Sequence, residues 1–142
     1  MFKDIREVKE CLDKKLDILL ESFNIKLIYI FGSFAKGTNR EDSDLDIAIL
    51  LEDNYSPLIK LQILDELVGI FNIENIDLVI LNDVNEVLKF QVIKYGKVLY
   101  MNDLTTKILF EAQTMSQYMD MEHFRNIQNE YSRKKFLDTV GD

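Results

Sequence analysis

The sequence is poor in the residues that mark disulfide-rich, disordered and membrane-spanning chains. Its 142 residues include one cysteine, one proline, five glycines and no tryptophan. The single cysteine, Cys11, excludes an internal disulfide, and the scarcity of proline and glycine argues against long linkers. The apolar runs are too short to cross a bilayer, and no apolar signal core follows the first residues. We therefore expect a cytoplasmic protein with no membrane segment.

Positive charge is also scarce. The chain carries 17 Lys and Arg residues against 25 Asp and Glu residues, a formal net charge of −8. A protein that binds nucleic acid through its backbone needs a basic surface that displaces counterions from phosphates. A direct nucleic-acid partner is therefore disfavoured. The acidic surface either favours a basic protein partner or only maintains solubility.

Apolar residues make up 47% of the chain, which is enough for the core of one domain. Their spacing predicts helices where they recur every three or four residues and strands where β-branched and aromatic residues run together. The pattern favours an α/β (α+β) fold, with residues 1–142 as a single domain, a core at about 24–102 and C-terminal helices at about 103–138. The predicted elements are a helix at 3–22, strands at 26–31, 44–51, 76–81 and 97–100, helices at 56–71 and from about 83 to Gly96, and helical sequence from Leu104.

Local signals predict where these helices begin and end. Ser56 followed by Pro57 is typical of an N-cap and a first helical position. Asp83 with Glu86 resembles a capping box, and Gly96 is a natural left-handed residue after a helix. The C-terminal sequence fits either one helix or two. Its tyrosines and methionines fit an exposed interaction face, but packing against the sheet is the preferred interpretation (Tyr118, Tyr131, Met115, Met119 and Met121).

Acidic residues interrupt two of the predicted strands. Asp44 and Asp46 flank Leu45, so their side chains leave the same face of a strand. Asp77 lies in the next strand and can face them if the two strands are neighbours. Three converging carboxylates repel one another, and a divalent cation relieves that repulsion. Oxygen ligands suit Mg²⁺ or Mn²⁺ rather than Zn²⁺. Taken singly, each aspartate is also compatible with a turn or a solvent-facing position.

A glycine–serine pair ends the first predicted strand. Gly32 allows a ligand to approach the backbone closely, and the hydroxyl of Ser33 can donate a hydrogen bond to a phosphate oxygen. Lys36 adds a positive charge nearby. The pair alone is a weak signal, and its value comes from lying just upstream of Asp44 and Asp46. Together these residues predict a phosphate-binding turn beside a metal site.

The combined motif resembles a known signature. Gly32-Ser33, ten intervening residues and Asp44-Leu45-Asp46 are similar to the motif of the DNA polymerase beta-like nucleotidyltransferase superfamily. The segments GSFAKGTNREDSDLDIAIL, IDLVILN and IKYGKVLYMND resemble its minimal MNT-type branch, although Lys36 stands where many relatives have arginine. The resemblance covers roughly residues 25–103. It implies the polymerase beta-like fold, a small mixed sheet flanked by helices, here with a helical C-terminal extension.

The resemblance also implies an activity. Such enzymes transfer a nucleoside monophosphate from a triphosphate, most often ATP. Asp44 and Asp46 would hold Mg²⁺. Asp77 would hold a second ion or accept the proton of the attacking hydroxyl. The phosphates would be bound by Gly32, Ser33 and Lys36. Small members resemble the antitoxin of HEPN/MNT toxin–antitoxin pairs, which adenylylates a tyrosine of its HEPN ribonuclease partner. A hetero-oligomer with that toxin is then expected.

Two alternatives remain at this point. One is adenylylation of a small hydroxylated molecule such as an aminoglycoside, which the small size of the chain disfavours. The other is an antitoxin that acts by binding alone, with an unused site. The chain does not resemble the toxin half of the pair: His123 lacks the following tyrosine and the upstream arginine of a HEPN motif, and is interpreted as a surface residue.

Overall fold

Strands and helices alternate along residues 2–140, the part of the chain that the computed structural model describes; its side chains are described up to residue 137. A short 3₁₀ turn, Leu81–Asp83, follows the third strand. In chain order the other elements are α1 (Ile5–Ser22), β1 (Ile25–Phe31), α2 (Gly32–Lys36), β2 (Leu45–Leu51), α3 (Ile59–Phe71), β3 (Ile76–Ile80), α4 (Glu86–Tyr95), β4 (Lys97–Met101) and α5 (Leu104–Val140). The predicted alternation of helices and strands is confirmed.

The four strands form one mixed sheet in the order β3-β2-β1-β4. β1 is antiparallel to both β2 and β4, whereas β2 and β3 are parallel and are joined through α3. This small mixed sheet with helices on its faces and a C-terminal helix confirms the predicted fold class.

Side chains alternate across the sheet and create two apolar layers. One face of the sheet packs against α1 and α3 and contributes to the larger cluster of buried residues, with Ile28, Ile30, Ile47 and Ile49 among them. The intervening residues of β1 and β2, among them Tyr29 and Ala48, face α4 and the start of α5 in a smaller cluster. Because the period of a strand is two residues, this alternation fixes which residues of β2 and β3 can leave the core.

Two of the predicted helix starts are wrong by a few residues. The hydroxyl of Ser56 accepts a hydrogen bond from the backbone N–H of Leu58 (3.2 Å) and closes a turn, so α3 begins only at Ile59. The N-cap of α4 is Asn85, whose side chain accepts from the backbone of Leu88 (3.0 Å). In both places several short polar side chains can bond to nearby backbone groups, and the sequence does not show which of them caps the helix.

Gly96 follows α4 as predicted but does not adopt the left-handed conformation; its φ is −79° and its ψ is 170°. The glycine is required for space instead. A Cβ at this position would press on the carbonyl oxygen of Val92 and lie 3.0 Å from that of Ile30. Gly96 therefore lets α4 turn tightly into β4 against the backbone of β1.

The region after residue 103 is one continuous helix, α5. Tyr118 and Met121 are half-buried, but Met115, Met119 and Tyr131 are exposed. The prediction that these three residues pack against the sheet is wrong, because helical periodicity identifies an apolar face without identifying what covers it. No helix within residues 2–140 combines the length and the apolarity that a membrane span requires.

Candidate active site

The turn after β1 is built around a glycine. Gly32 has φ +70°, a conformation that favours glycine, and it opens the five-residue helix α2. Gly37 ends that helix in the left-handed region, and the backbone N–H of Thr38 donates to the carbonyl of Ser33 (2.9 Å). The predicted turn at Gly32 and Ser33 is therefore present, with Ser33 half-buried and Lys36 exposed.

Gly32 also makes room for Asp46. Phe31, the last residue of β1, is the direct partner of Asp46 on β2. A Cβ added to Gly32 would overlap the carboxylate of Asp46 and would stand 2.9 Å from its Cγ. The missing side chain thus lets the carboxylate lie against the Gly-Ser turn.

Asp44 precedes β2 and is held there by hydrogen bonds on both of its neighbours. The backbone N–H of Leu45 donates to the carbonyl of Asn75 (2.9 Å). The side-chain amide of Asn75 donates to the carbonyl of Ser43 (3.1 Å). Because Asn75 lies immediately before β3, these bonds bring Asp44 to the end of the sheet where Asp77 begins. Sequence reasoning overlooked Asn75; its only signal was a polar residue at a strand start.

Asp77 lies beside Asp46 in the parallel pair β2–β3, where the two are register partners. Neighbouring strands are about 4.8 Å apart. Both residues alternate with buried neighbours, Leu45 and Ile47 on one strand and Leu78 on the other, so both carboxylates point away from the larger core. The sequence left the position of β3 beside β2 as a condition, and the parallel pairing of the two strands meets it.

The pKa of Asp46 is raised to about 6, most of all by burial, and also by the negative charges of Asp77 and Asp44 and by a hydrogen bond with Asp77. Asp46 is therefore close enough to each of the other two carboxylates to be repelled by it. Within the described residues, however, no group of three or more acidic, histidine or cysteine side chains already encloses a point suited to a metal ion.

A second positive charge and an aromatic ring flank the turn. The Nζ atom of Lys36 lies 5.6 Å from the ring centroid of Tyr95, at the end of α4, and the Nζ atom of Lys94 lies 5.2 Å from the same centroid. These distances are in the range of cation–π contacts. Lys36 is thus held near the Gly-Ser turn by a tyrosine to which the sequence analysis assigned no role.

Residues 14–105 match the family described as Polymerase beta, Nucleotidyltransferase. The chain belongs to this nucleotidyltransferase family. It is also 33% identical over 98 residues to the protein adenylyltransferase MntA of Shewanella oneidensis, a match that covers 69% of each chain. The resemblance predicted from the Gly-Ser and Asp-Leu-Asp motifs is therefore confirmed.

Solved structures agree with this assignment. One chain of a solved toxin–antitoxin structure with AMP-PNP is 30% identical in sequence to this nucleotidyltransferase. The two align with a TM-score of 0.69, over 84% of this chain and 97% of the solved chain. The structure of a tri-AMPylated HEPN toxin of Shewanella oneidensis with its MNT antitoxin contains a chain 25% identical, with a TM-score of 0.67 over 91% of this chain and 99% of that one. The similarity thus extends over nearly the whole of both solved chains.

Proposed function

We propose that this nucleotidyltransferase is an antitoxin that transfers AMP from ATP to a tyrosine of a partner HEPN ribonuclease toxin and thereby silences it. The observation that carries the proposal is the pairing of Asp46 with Asp77 beside Gly32, in a homologue of the protein adenylyltransferase MntA. A neighbour with an ATP analogue and a neighbour with an AMPylated toxin support the nucleotide and the acceptor. The proposal places the protein in the cytoplasm, where ATP is available.

The donor set fits a hard divalent cation. Asp44, Asp46 and Asp77 offer only oxygen ligands, which Mg²⁺ prefers. Burial and the neighbouring charges of Asp77 and Asp44 already raise the pKa of Asp46, so a positive ion at this place would relieve a cost that the fold imposes. Bound there, Mg²⁺ would supply charge neutralisation for phosphoryl transfer.

The remaining residues act by binding and positioning. The backbone at Gly32 and the hydroxyl of Ser33 would hold phosphate oxygens close to Asp46, and Lys36 would add a positive charge along the triphosphate. Asp77 stands at the exposed side of the pair, where two roles are compatible with its position: a ligand to an ion, or the acceptor of the tyrosine proton. In either role the protein acts mainly through orientation and electrostatics.

The test is a transfer assay with the cognate HEPN protein, ATP and Mg²⁺. Intact-mass spectrometry is expected to show one or more AMP units added to the HEPN protein, and Asp44→Ala with Asp46→Ala is expected to abolish the addition. Asp17→Ala, an exposed acidic position on α1, is the control. If no AMP is added by the wild-type chain, the proposal is wrong. Full neutralisation of the toxin by the double variant would show that binding alone suffices.

A further inference from the structure

The distal part of α5 extends beyond the body of the protein. We call residues 122–137 the arm; every one of its side chains is exposed. α5 has 37 residues, which corresponds to a length of about 55 Å. The arm therefore accounts for roughly 24 Å of helix with exposed side chains.

The proximal part of α5, in contrast, is firmly attached. Tyr118 stacks on Phe90 with ring centroids 4.0 Å apart, and Thr114 is buried. The hydroxyl of Tyr29 donates to the carboxylate of Glu111 (3.0 Å). Met121 is half-buried, and no described residue after it is covered. The change from packed to exposed helix is thus abrupt.

The arm carries an apolar stripe formed by Phe124, Ile127 and Tyr131. Their exposed fractions are 60%, 51% and 66%. Spacings of three and four residues place all three on one side of the helix. Large exposed apolar side chains grouped in this way are typical of a contact surface. A helix of this length also depends on packing for most of its stability, so the arm is expected to be stabilised by whatever covers the stripe.

The comparison with the solved toxin complex indicates the occupant. The MNT antitoxin in that complex aligns with 91% of this chain, whereas residues 1–121 are only about 85% of its 142 residues. The alignment therefore reaches into the arm or its immediate continuation. A counterpart of this segment is present in a protein that was solved together with a HEPN toxin.

We propose that the stripe of the arm docks on an apolar surface of the HEPN toxin, so that the body of α5 holds the toxin while Asp44, Asp46 and Asp77 act on its tyrosine. This inference rests on the proposed function and deepens it by naming the docking surface. The stripe and the aspartates lie on different parts of the chain, so binding and chemistry can be removed separately.

The experiment compares two variants of the full chain. The stripe variant carries Phe124→Gln, Ile127→Gln and Tyr131→Gln, in which glutamine keeps a good helix propensity. The control variant carries three substitutions on the opposite face of the same arm (Glu122→Gln, Asn126→Gln and Asn129→Gln). Affinity for the HEPN protein is measured by titration calorimetry, and hydrogen exchange of residues 122–137 is followed with and without it.

The stripe variant is expected to bind the HEPN protein at least about 30-fold more weakly, as for loss of central aromatic contacts. The control variant is expected to bind as the wild type does, and the arm of the wild type is expected to gain exchange protection on binding. Equal affinities for the two variants would overturn the inference. So would a homodimer that the stripe substitutions dissociate without affecting toxin binding, because a second copy would then be the occupant.

The same samples separate this inference from the proposed function. If the wild-type chain binds through the stripe but adds no AMP, the transferase proposal fails and the docking surface stands. If the wild-type chain adds AMP and the stripe variant both binds and modifies the toxin normally, the transferase proposal stands and the docking surface is wrong.

Discussion

Asp46 provides a direct test of whether the carboxylates oppose one another in the free protein. Its pKa is raised to about 6 from an ordinary value of 3.8. Below about pH 4 the carboxyl is protonated in both the folded and the unfolded chain and has no effect. Between about pH 4 and pH 6 the folded chain binds more protons than the unfolded chain, so stability falls as pH rises. Above about pH 6 the carboxyl is ionised in both states, and the stability of the folded chain falls no further.

The magnitude follows from the shift. Two pKa units correspond to about 3 kcal/mol, but Asp46 is only half-buried, so solvent screening reduces the cost to about 1–1.5 kcal/mol. Asp46→Asn removes the charge and keeps the shape. We expect this variant to be more stable than the wild type by that amount at pH 8, which raises the melting temperature by about 3–6 °C.

The assay is thermal unfolding followed by circular dichroism at pH 4 and pH 8, with a chelator present. Asp17→Asn, an exposed acid on α1, makes the same charge change away from the other two aspartates. The gain for Asp46→Asn should vanish at pH 4, and added Mg²⁺ should stabilise the wild type at pH 8 but not this variant. A lower melting temperature for Asp46→Asn at pH 8, or an equal gain from Asp17→Asn, would refute the reasoning.

Three further substitutions test the fold and the turn. Gly32→Ala should reduce AMP transfer by about 100-fold, because the added methyl displaces a site carboxylate; Gly37→Ala, at a similar φ but with open space around it, should retain transfer in the same mass-spectrometric assay. Asn82→Ala should cost about 1–3 kcal/mol in chemical denaturation, because the Asn82 side chain bonds both the N–H and the carbonyl of Leu51 (2.9 and 2.8 Å). Leu67→Ala, at a fully buried position, should lower the free energy of unfolding by about 2–5 kcal/mol. An unchanged denaturation midpoint for Asn82→Ala or Leu67→Ala would contradict the role assigned to that residue.

Much of the candidate site could be predicted from sequence because its constraints are local. A strand has a period of two residues, so Asp44 and Asp46 had to share a face once Leu45 was placed in the core. The neighbouring position of β3 was a conditional prediction, and the parallel pairing of Asp46 with Asp77 satisfied that condition. The turn at Gly32 followed from a glycine at a strand end.

The missed features depend on tertiary contacts. The side chain of Asn75 donates a hydrogen bond to the carbonyl of Ser43, and Tyr95 contacts Lys36 from another helix. Neither contact can be read from the segment that contains the residue. The extent of the arm was missed for a related reason. Residues 122–137 have an apolar periodicity, and periodicity predicts an amphipathic helix whether the cover comes from the same chain or from another.

The place of β3 in the strand order has a consequence for association between copies. β3 is the outermost strand on its side of the described sheet, and an outermost strand offers unpaired backbone groups to strands of other molecules. Short length and a charged side chain discourage such pairing, and β3 has five residues with Asp77 second among them. The carboxylate proposed for AMP transfer therefore also discourages edge-to-edge pairing of this sheet with other molecules. Selection for solubility would then preserve Asp77 even in a homologue that no longer modified its partner.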